Sequence, residues 1–213
     1  MTFRAVVFDF NGTLSDDEPV LCAIFQELFA EHGKPLTVEE YYDELAGLSD
    51  PEIVRTWLGR DHPDVDAVIE DRVRRYRAAV GDGSSIHRSV RDAVRYAAER
   101  VPVAIVSGAA RAEIEPVVAA AGLAPHLRAI VSSDDVEHGK PHPDGYLRAL
   151  ELLDGIEPHE VVVIEDTEAG VAAAKAAGMH CLARTGTLAP ERLRAADELV
   201  ETIDVDLMRR LLG

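Results

Sequence analysis

Five short apolar runs punctuate the chain: Ala5–Phe8, Val101–Val106, Leu127–Val131, Val161–Ile164 and His180–Ala183. From the second run onward they alternate with segments whose apolar residues recur at three and four positions, at about 88–99, 110–121, 143–153 and 168–177. Strand–helix alternation of this kind predicts a parallel sheet with right-handed crossovers. The runs are continuously apolar, as expected of strands covered on both faces. A later run, Glu198–Ile203, predicts an edge strand, and 204–212 a closing helix.

The segment 16–84 has a different rhythm and no convincing strand. Val20, Leu21, Ile24, Phe25, Leu28 and Phe29 lie at helical spacing, and Gly33 with Pro35 ends that helix. Thr37 and Glu40 form a capping-box pattern for a second helix. Asp50-Pro51 starts a third, and a fourth runs from about Pro63 to Val80 before Gly81-Asp82-Gly83. Four helices inserted after the first strand predict two domains. One is an α/β, Rossmann-like parallel-sheet core formed by 1–15 and 85–213; the other is an α-helical cap at 16–84. Trp57 is expected in the cap's core.

Of the 213 residues, 47% are apolar, ordinary for a globular protein. The formal net charge of −17 argues against a nucleic-acid backbone or an anionic membrane as partner. It also means that an anionic substrate needs a local cation, and the only lysines are Lys34, Lys140 and Lys175. No apolar run reaches membrane-spanning length, and no secretory-signal pattern opens the chain. The well-separated Cys22 and Cys181 suggest free thiols and a cytoplasmic protein. A monomer or homodimer is expected.

Four groups carry candidate chemistry. Asp9-Phe10-Asn11-Gly12-Thr13 closes the first strand, Ser107-Gly108 closes the second, and Glu165-Asp166 ends the fourth; Lys140 lies in a Gly-Lys-Pro loop. Each alone has an ordinary explanation as a turn, a helix cap or a surface lysine. Three of them fall at strand C-terminal ends, however, and in a parallel sheet those ends share one edge. Asp9 and Asp166, with Glu165, offer hard oxygen ligands suited to Mg²⁺. Lys140 and the hydroxyls of Thr13 and Ser107, beside Gly108, can hold phosphoryl oxygens, and Asp9 can attack phosphorus.

These motifs resemble the haloacid dehalogenase superfamily of phosphohydrolases, in the helical-cap branch of β-phosphoglucomutase-like and phosphoglycolate-phosphatase-like enzymes. The similarity runs from Asp9-Phe10-Asn11-Gly12-Thr13-Leu14 through Ser107, Lys140 to Tyr146, and Glu165–Gly170, and covers essentially the whole chain. It implies Asp9 as nucleophile, Ser107 and Lys140 as phosphate ligands, and Mg²⁺ held by Asp9, Asp166 and the main-chain carbonyl of Asn11. It further implies a cap loop at Ala46–Asp50 that selects the substrate, through Gly47, Ser49 and Arg55. Asn11 departs from the pattern. The family's second aspartate, its general acid and base, belongs at this position, and an amide cannot shuttle a proton at neutral pH. Asp16 or Asp17 is expected to cap the first cap helix, His142 to be a loop residue, and Glu18-Pro19 to resemble the family's entry into the cap.

The leading reading is therefore a Mg²⁺-dependent hydrolase of a small phosphorylated metabolite, working through an aspartyl phosphate and slowed by Asn11. A catalytically impaired protein that binds such a metabolite or a partner is one alternative. A β-phosphoglucomutase-like mutase is the other.

Overall fold

The computed structural model describes residues 2–213. Six strands form one parallel sheet: β1 (Ala5–Phe8), β2 (Val103–Val106), β3 (Ala129–Val131), β4 (Val161–Glu165), β5 (His180–Arg184) and β6 (Glu198–Val200). Their order is β3-β2-β1-β4-β5-β6, with Val7 between Ala104 and Val163. The chain winds outward on one side of β1 and then crosses to β4 on the other. The β1/β4 boundary is thus a topological switch point, where open α/β sheets form a crevice at their carboxyl edge.

The continuous apolar runs have the expected cause. Val6, Phe8, Ile105, Ile164 and Leu182 face one buried cluster, while Val7, Ala104, Val163 and Cys181 face a second cluster across the sheet. Both cysteines are buried free thiols. No helix among the described residues is long and apolar enough to cross a membrane.

Between β1 and the rest of the sheet lie α1 (Glu18–Glu31), α2 (Val38–Glu40), α3 (Asp50–Leu58) and α4 (Val65–Val80). After them come α5 (Arg88–Ala98), α6 (Arg111–Ala120), α7 (Asp144–Leu153), α8 (Glu168–Ala176) and α9 (Val205–Leu212). The cap helices bury Leu21, Phe25, Tyr41 and Val54 in the same apolar cluster as Phe8 and Phe10. Trp57 stacks on Phe29 at 6.3 Å and donates from its indole to the Lys34 carbonyl.

Two local expectations change. The capping box forms, with Glu40 N–H donating to Thr37 Oγ1 and Thr37 N–H to Glu40 Oε2. The α2 helix it starts lasts only to Glu40, however, and widens into a π-helical turn at Tyr41–Leu45 that buries Tyr41 and Leu45. The third cap helix begins one residue early. Ser49 occupies its N-cap, donating to Glu52 from both N and Oγ, because Asp50 is drawn inward beside Arg72.

Candidate active site

The segment Asp9–Leu14 becomes a site because β1 stops at Phe8 and Asp9 remains tied to β4 through its N–H, which donates to the Ile164 carbonyl at 2.9 Å. Gly12 then turns the chain with a φ of +72°, a left-handed conformation that glycine adopts without strain. Space requires glycine as well: a Cβ there would lie 1.9 Å from Asp166 Oδ2. The Arg184 guanidinium, from the end of β5, donates to the Gly12 carbonyl and fixes the loop from outside.

Lys140 Nζ donates to Asp9 Oδ1 and Glu165 Oε1, each at 2.5 Å, and to the Val106 carbonyl at 3.2 Å. Burial works against the ammonium's charge, but Asp9 and Glu165 outweigh it and hold Lys140 protonated. Both Glu165 oxygens are occupied. Oε1 also accepts from Tyr146 Oη at 2.7 Å, and Oε2 accepts from the main-chain N–H groups of Asp166 and Thr167. Glu165 therefore serves to position Lys140 and the chain that carries Asp166. Gly170 makes this possible, since a Cβ there would lie 1.9 Å from the Glu165 carboxyl. Gly170→Ala is expected to destabilise the protein by at least about 1–3 kcal/mol through overpacking. Urea unfolding would measure it, and an unshifted midpoint would contradict the packing.

Asp166 is fully buried and accepts from Thr13 Oγ1 at 3.0 Å and Thr187 Oγ1 at 2.5 Å. Ligand oxygens of Asp9, Glu165 and Asp166 lie within 4.8 Å of one another. Burial, with the Asp9 charge next, pushes Asp166 well above the usual carboxylate range, and burial pushes Asp9 up to about 7 against the pull of Lys140. One lysine thus faces more carboxylate charge than it can offset. A hard divalent cation matches both the donor chemistry and the missing charge.

Above these residues, a cavity of about 350 Å³ lies between the sheet edge and the cap helices, within the size range of small-molecule sites. Asp9, Ser107, Gly108 and Lys140 line its sheet side; Gly47, Ser49 and Glu18 line its cap side. Ser107 Oγ accepts from the Ala109 N–H at 3.1 Å, leaving its own proton to donate. Gly47, at φ +90°, lets the cap loop approach Thr167; a Cβ there would meet Thr167 Cβ at 3.0 Å.

Several expected residues lie elsewhere. Thr13 is buried against Asp166 and does not border the cavity, so its hydroxyl orients a carboxylate instead of meeting phosphate. Arg55 is exposed and does not line the cavity; Arg72 of α4 does. Neither Asp16 nor Asp17 caps α1. Asp17 occupies the N-cap position, but its carboxylate accepts from Gly12 N–H, Asn11 Nδ2 and Tyr76 Oη. Asp16 pairs with His87 and Arg184. His142 lies on the cavity's rim and is exposed.

Asn11 also borders the cavity, with Nδ2 donating to Asp17 Oδ2 at 3.0 Å and Tyr76 Oη at 3.3 Å. Arg72, Arg184 and Thr187 had no counterpart in the motif reading. Arg184 had one faint signal, its place directly after the apolar run His180–Ala183.

The profile described as haloacid dehalogenase-like hydrolase matches residues 3–178. The chain belongs to this family. Among the hydrolase's relatives is validoxylamine A 7′-phosphate phosphatase of Streptomyces hygroscopicus subsp. limoneus, 28% identical over 94% of each chain. Fructose-1-phosphate phosphatase YqaB of Escherichia coli (strain K12) is 29% identical, over 84% of this chain and 95% of its own. CbbY from Rhodobacter sphaeroides, solved in complex with phosphate, superposes with a TM-score of 0.84 at 25% identity, covering 97% and 96% of the two chains. The hydrolase is thus an enzyme whose relatives from Streptomyces hygroscopicus and Escherichia coli are phosphatases.

Proposed function

We propose that this hydrolase is a Mg²⁺-dependent phosphomonoesterase acting on a small phosphorylated metabolite through an aspartyl phosphate on Asp9. The core would be 1–15 with 85–213, and the cap 16–84. The observation that carries the reading is the convergence of Asp9, Lys140, Glu165 and Asp166 beneath a single cavity of about 350 Å³.

Asp9 and Asp166, with the main-chain carbonyl of Asn11, would hold the cation. When bound, it would neutralise the carboxylates and polarise a phosphoryl oxygen. Lys140 and the Ser107 hydroxyl would bind the remaining phosphoryl oxygens, where charge is spread during transfer. Asp9 would attack phosphorus in line with the leaving oxygen. The cap would exclude bulk water and contact the rest of the substrate with Gly47 and Ser49. One relative is a fructose-1-phosphate phosphatase and another a validoxylamine A 7′-phosphate phosphatase, which favours a small phosphate ester such as a sugar phosphate. Named relatives are phosphatases, so hydrolysis is favoured over mutase chemistry.

The test is phosphate release from a panel of sugar phosphates as a function of Mg²⁺. Activity should vanish in EDTA and return with saturable Mg²⁺ dependence. Independently of turnover, Mg²⁺ should raise the melting temperature of the wild type but not of Asp166→Asn. An inert wild-type protein that binds sugar phosphate tightly would instead favour the binding-protein alternative.

A further inference from the structure

A phosphate ester needs a proton on its leaving oxygen, and the acyl phosphate then needs a water relieved of one. Asn11 can do neither, and its Nδ2 is already committed to Asp17 and Tyr76. Asp17 cannot take over, since its carboxylate is occupied by three donors and does not border the cavity.

We propose that Glu18 is the general acid and base of this hydrolase, reaching the leaving-group oxygen from the cap side of the cavity. The proposal rests on the phosphatase reading above. Glu18 opens α1, the first of the helices inserted after β1, and borders the same cavity as Asp9, Ser107 and Lys140. In-line attack by Asp9 places the leaving oxygen on the far side of phosphorus from the sheet, which is the cap side. Tyr41 Oη donates to Glu18 Oε2 at 3.0 Å, and the other carboxylate oxygen takes no hydrogen bond from the described residues. The side chain is therefore oriented at one oxygen and available at the other.

The electrostatics fit an acid that starts protonated. Burial, and next the Asp17 charge, push Glu18 up to about 8, with Tyr41 and Arg72 pulling the other way. The groups that face it are Asp17 and Cys22 on its own segment, Tyr41 and Tyr42 from the π-helical turn, Arg72 from α4, and Asp9 and Asp166 from the sheet edge. Among them, only the Arg72 guanidinium is cationic, and it is shared with Asp50 and Glu113.

In the first step an Asp9 oxygen bonds to phosphorus, the ester P–O bond breaks, and the Glu18 proton passes to the departing alkoxide. In the second step a water oxygen bonds to phosphorus and its proton passes to the Glu18 carboxylate. The bond from phosphorus to Asp9 then breaks, returning the carboxylate and releasing phosphate. Each cycle consumes one water and leaves Glu18 protonated as it began.

The test compares the best-hydrolysed sugar phosphate with 4-nitrophenyl phosphate, whose leaving group departs unprotonated. Glu18→Gln should lower sugar phosphate turnover by about 10²-fold or more. With 4-nitrophenyl phosphate it should give a burst of roughly one nitrophenolate per enzyme before slow turnover, as the acyl phosphate accumulates. The wild-type kcat should fall above pH 8, and this limb should disappear in Glu18→Gln. Asn11→Asp/Glu18→Gln should recover sugar phosphate turnover. Should Glu18→Gln fold poorly, Tyr41→Phe offers a second route, moving the limb to higher pH by removing the hydrogen bond that favours the carboxylate. Equal losses on both substrates without a burst, or an unchanged pH limb, would overturn the role of Glu18. A wild-type protein inert toward both esters would instead overturn the phosphatase reading itself.

Discussion

Asp9→Asn is expected to reduce phosphate release by on the order of 10⁴-fold or more. The substitution keeps the shape of the side chain but removes its negative charge, and with it the ability to bond to phosphorus as a carboxylate. Lys140 retains Glu165 and the Val106 carbonyl as acceptors, so the loop it belongs to should stay in place. The variant should therefore melt near the wild-type temperature and still bind sugar phosphate, while showing no nitrophenolate burst with 4-nitrophenyl phosphate. This separates loss of the nucleophile from loss of Glu18, where the burst is the expected signature. Substantial residual turnover in Asp9→Asn would remove the covalent route and leave direct attack by water as the mechanism.

The second large effect concerns the joint between cap and core. Arg72 of α4 reaches Glu113 of α6, both almost wholly buried, and lies 3.4 Å from Asp50. Its guanidinium also sits 5.1 Å from the Tyr76 ring and 5.8 Å from that of Phe25. The pairing is incomplete, because Arg72 Nε and Glu113 Oε2 have no partner among the described residues. Such a pair contributes little beyond what a well-packed apolar replacement would, but losing one member strands the other. Arg72→Met should cost about 3–5 kcal/mol at neutral pH by urea unfolding, a large share of the typical 5–15 kcal/mol of a domain.

The loss should depend on pH in a definite direction. Burial, against the pull of Arg72, holds Glu113 up to about 7, and burial likewise raises Asp50. Without Arg72 both carboxyls rise further. From about pH 4, where they ionise in the unfolded chain, upward through the native value, the native state binds more protons than the unfolded one. Stability must then fall as pH rises. Arg72→Met should accordingly recover part of its loss at pH 5, and Arg72→Met/Glu113→Leu should recover most of it at pH 7. A single variant within about 0.5 kcal/mol of wild type would mean that the joint is solvated in solution.

Much of this molecule was legible because two periodicities and one topological rule constrain it. Continuous runs such as Val161–Ile164 can satisfy both faces only inside a covered parallel sheet, so the architecture followed from apolar spacing. A parallel sheet gathers the residues after its strands, so the sequence positions of Asp9, Ser107 and Asp166 suffice to place them on one edge. Thr37 and Glu40 marked a helix start correctly because a capping box is a local contact. How far that helix runs depended on burial of Tyr41 and Leu45 against the rest of the cap, which local sequence does not carry.

The sequence by itself determined which residue types stand at the ends of the strands, and that position 11 cannot transfer a proton. Only the tertiary structure decided where side chains on separate elements turn. It directed Thr13 to Asp166, Asp17 to Asn11 and Tyr76, Arg72 rather than Arg55 to the cavity's lining, and Glu18 to the border of the cavity that Asp9 also lines. The physical reason is range. Strand and helix periods act over a few residues, whereas the partner of a buried polar group is set by whichever donors the fold brings within hydrogen-bond distance, here from up to 172 positions away.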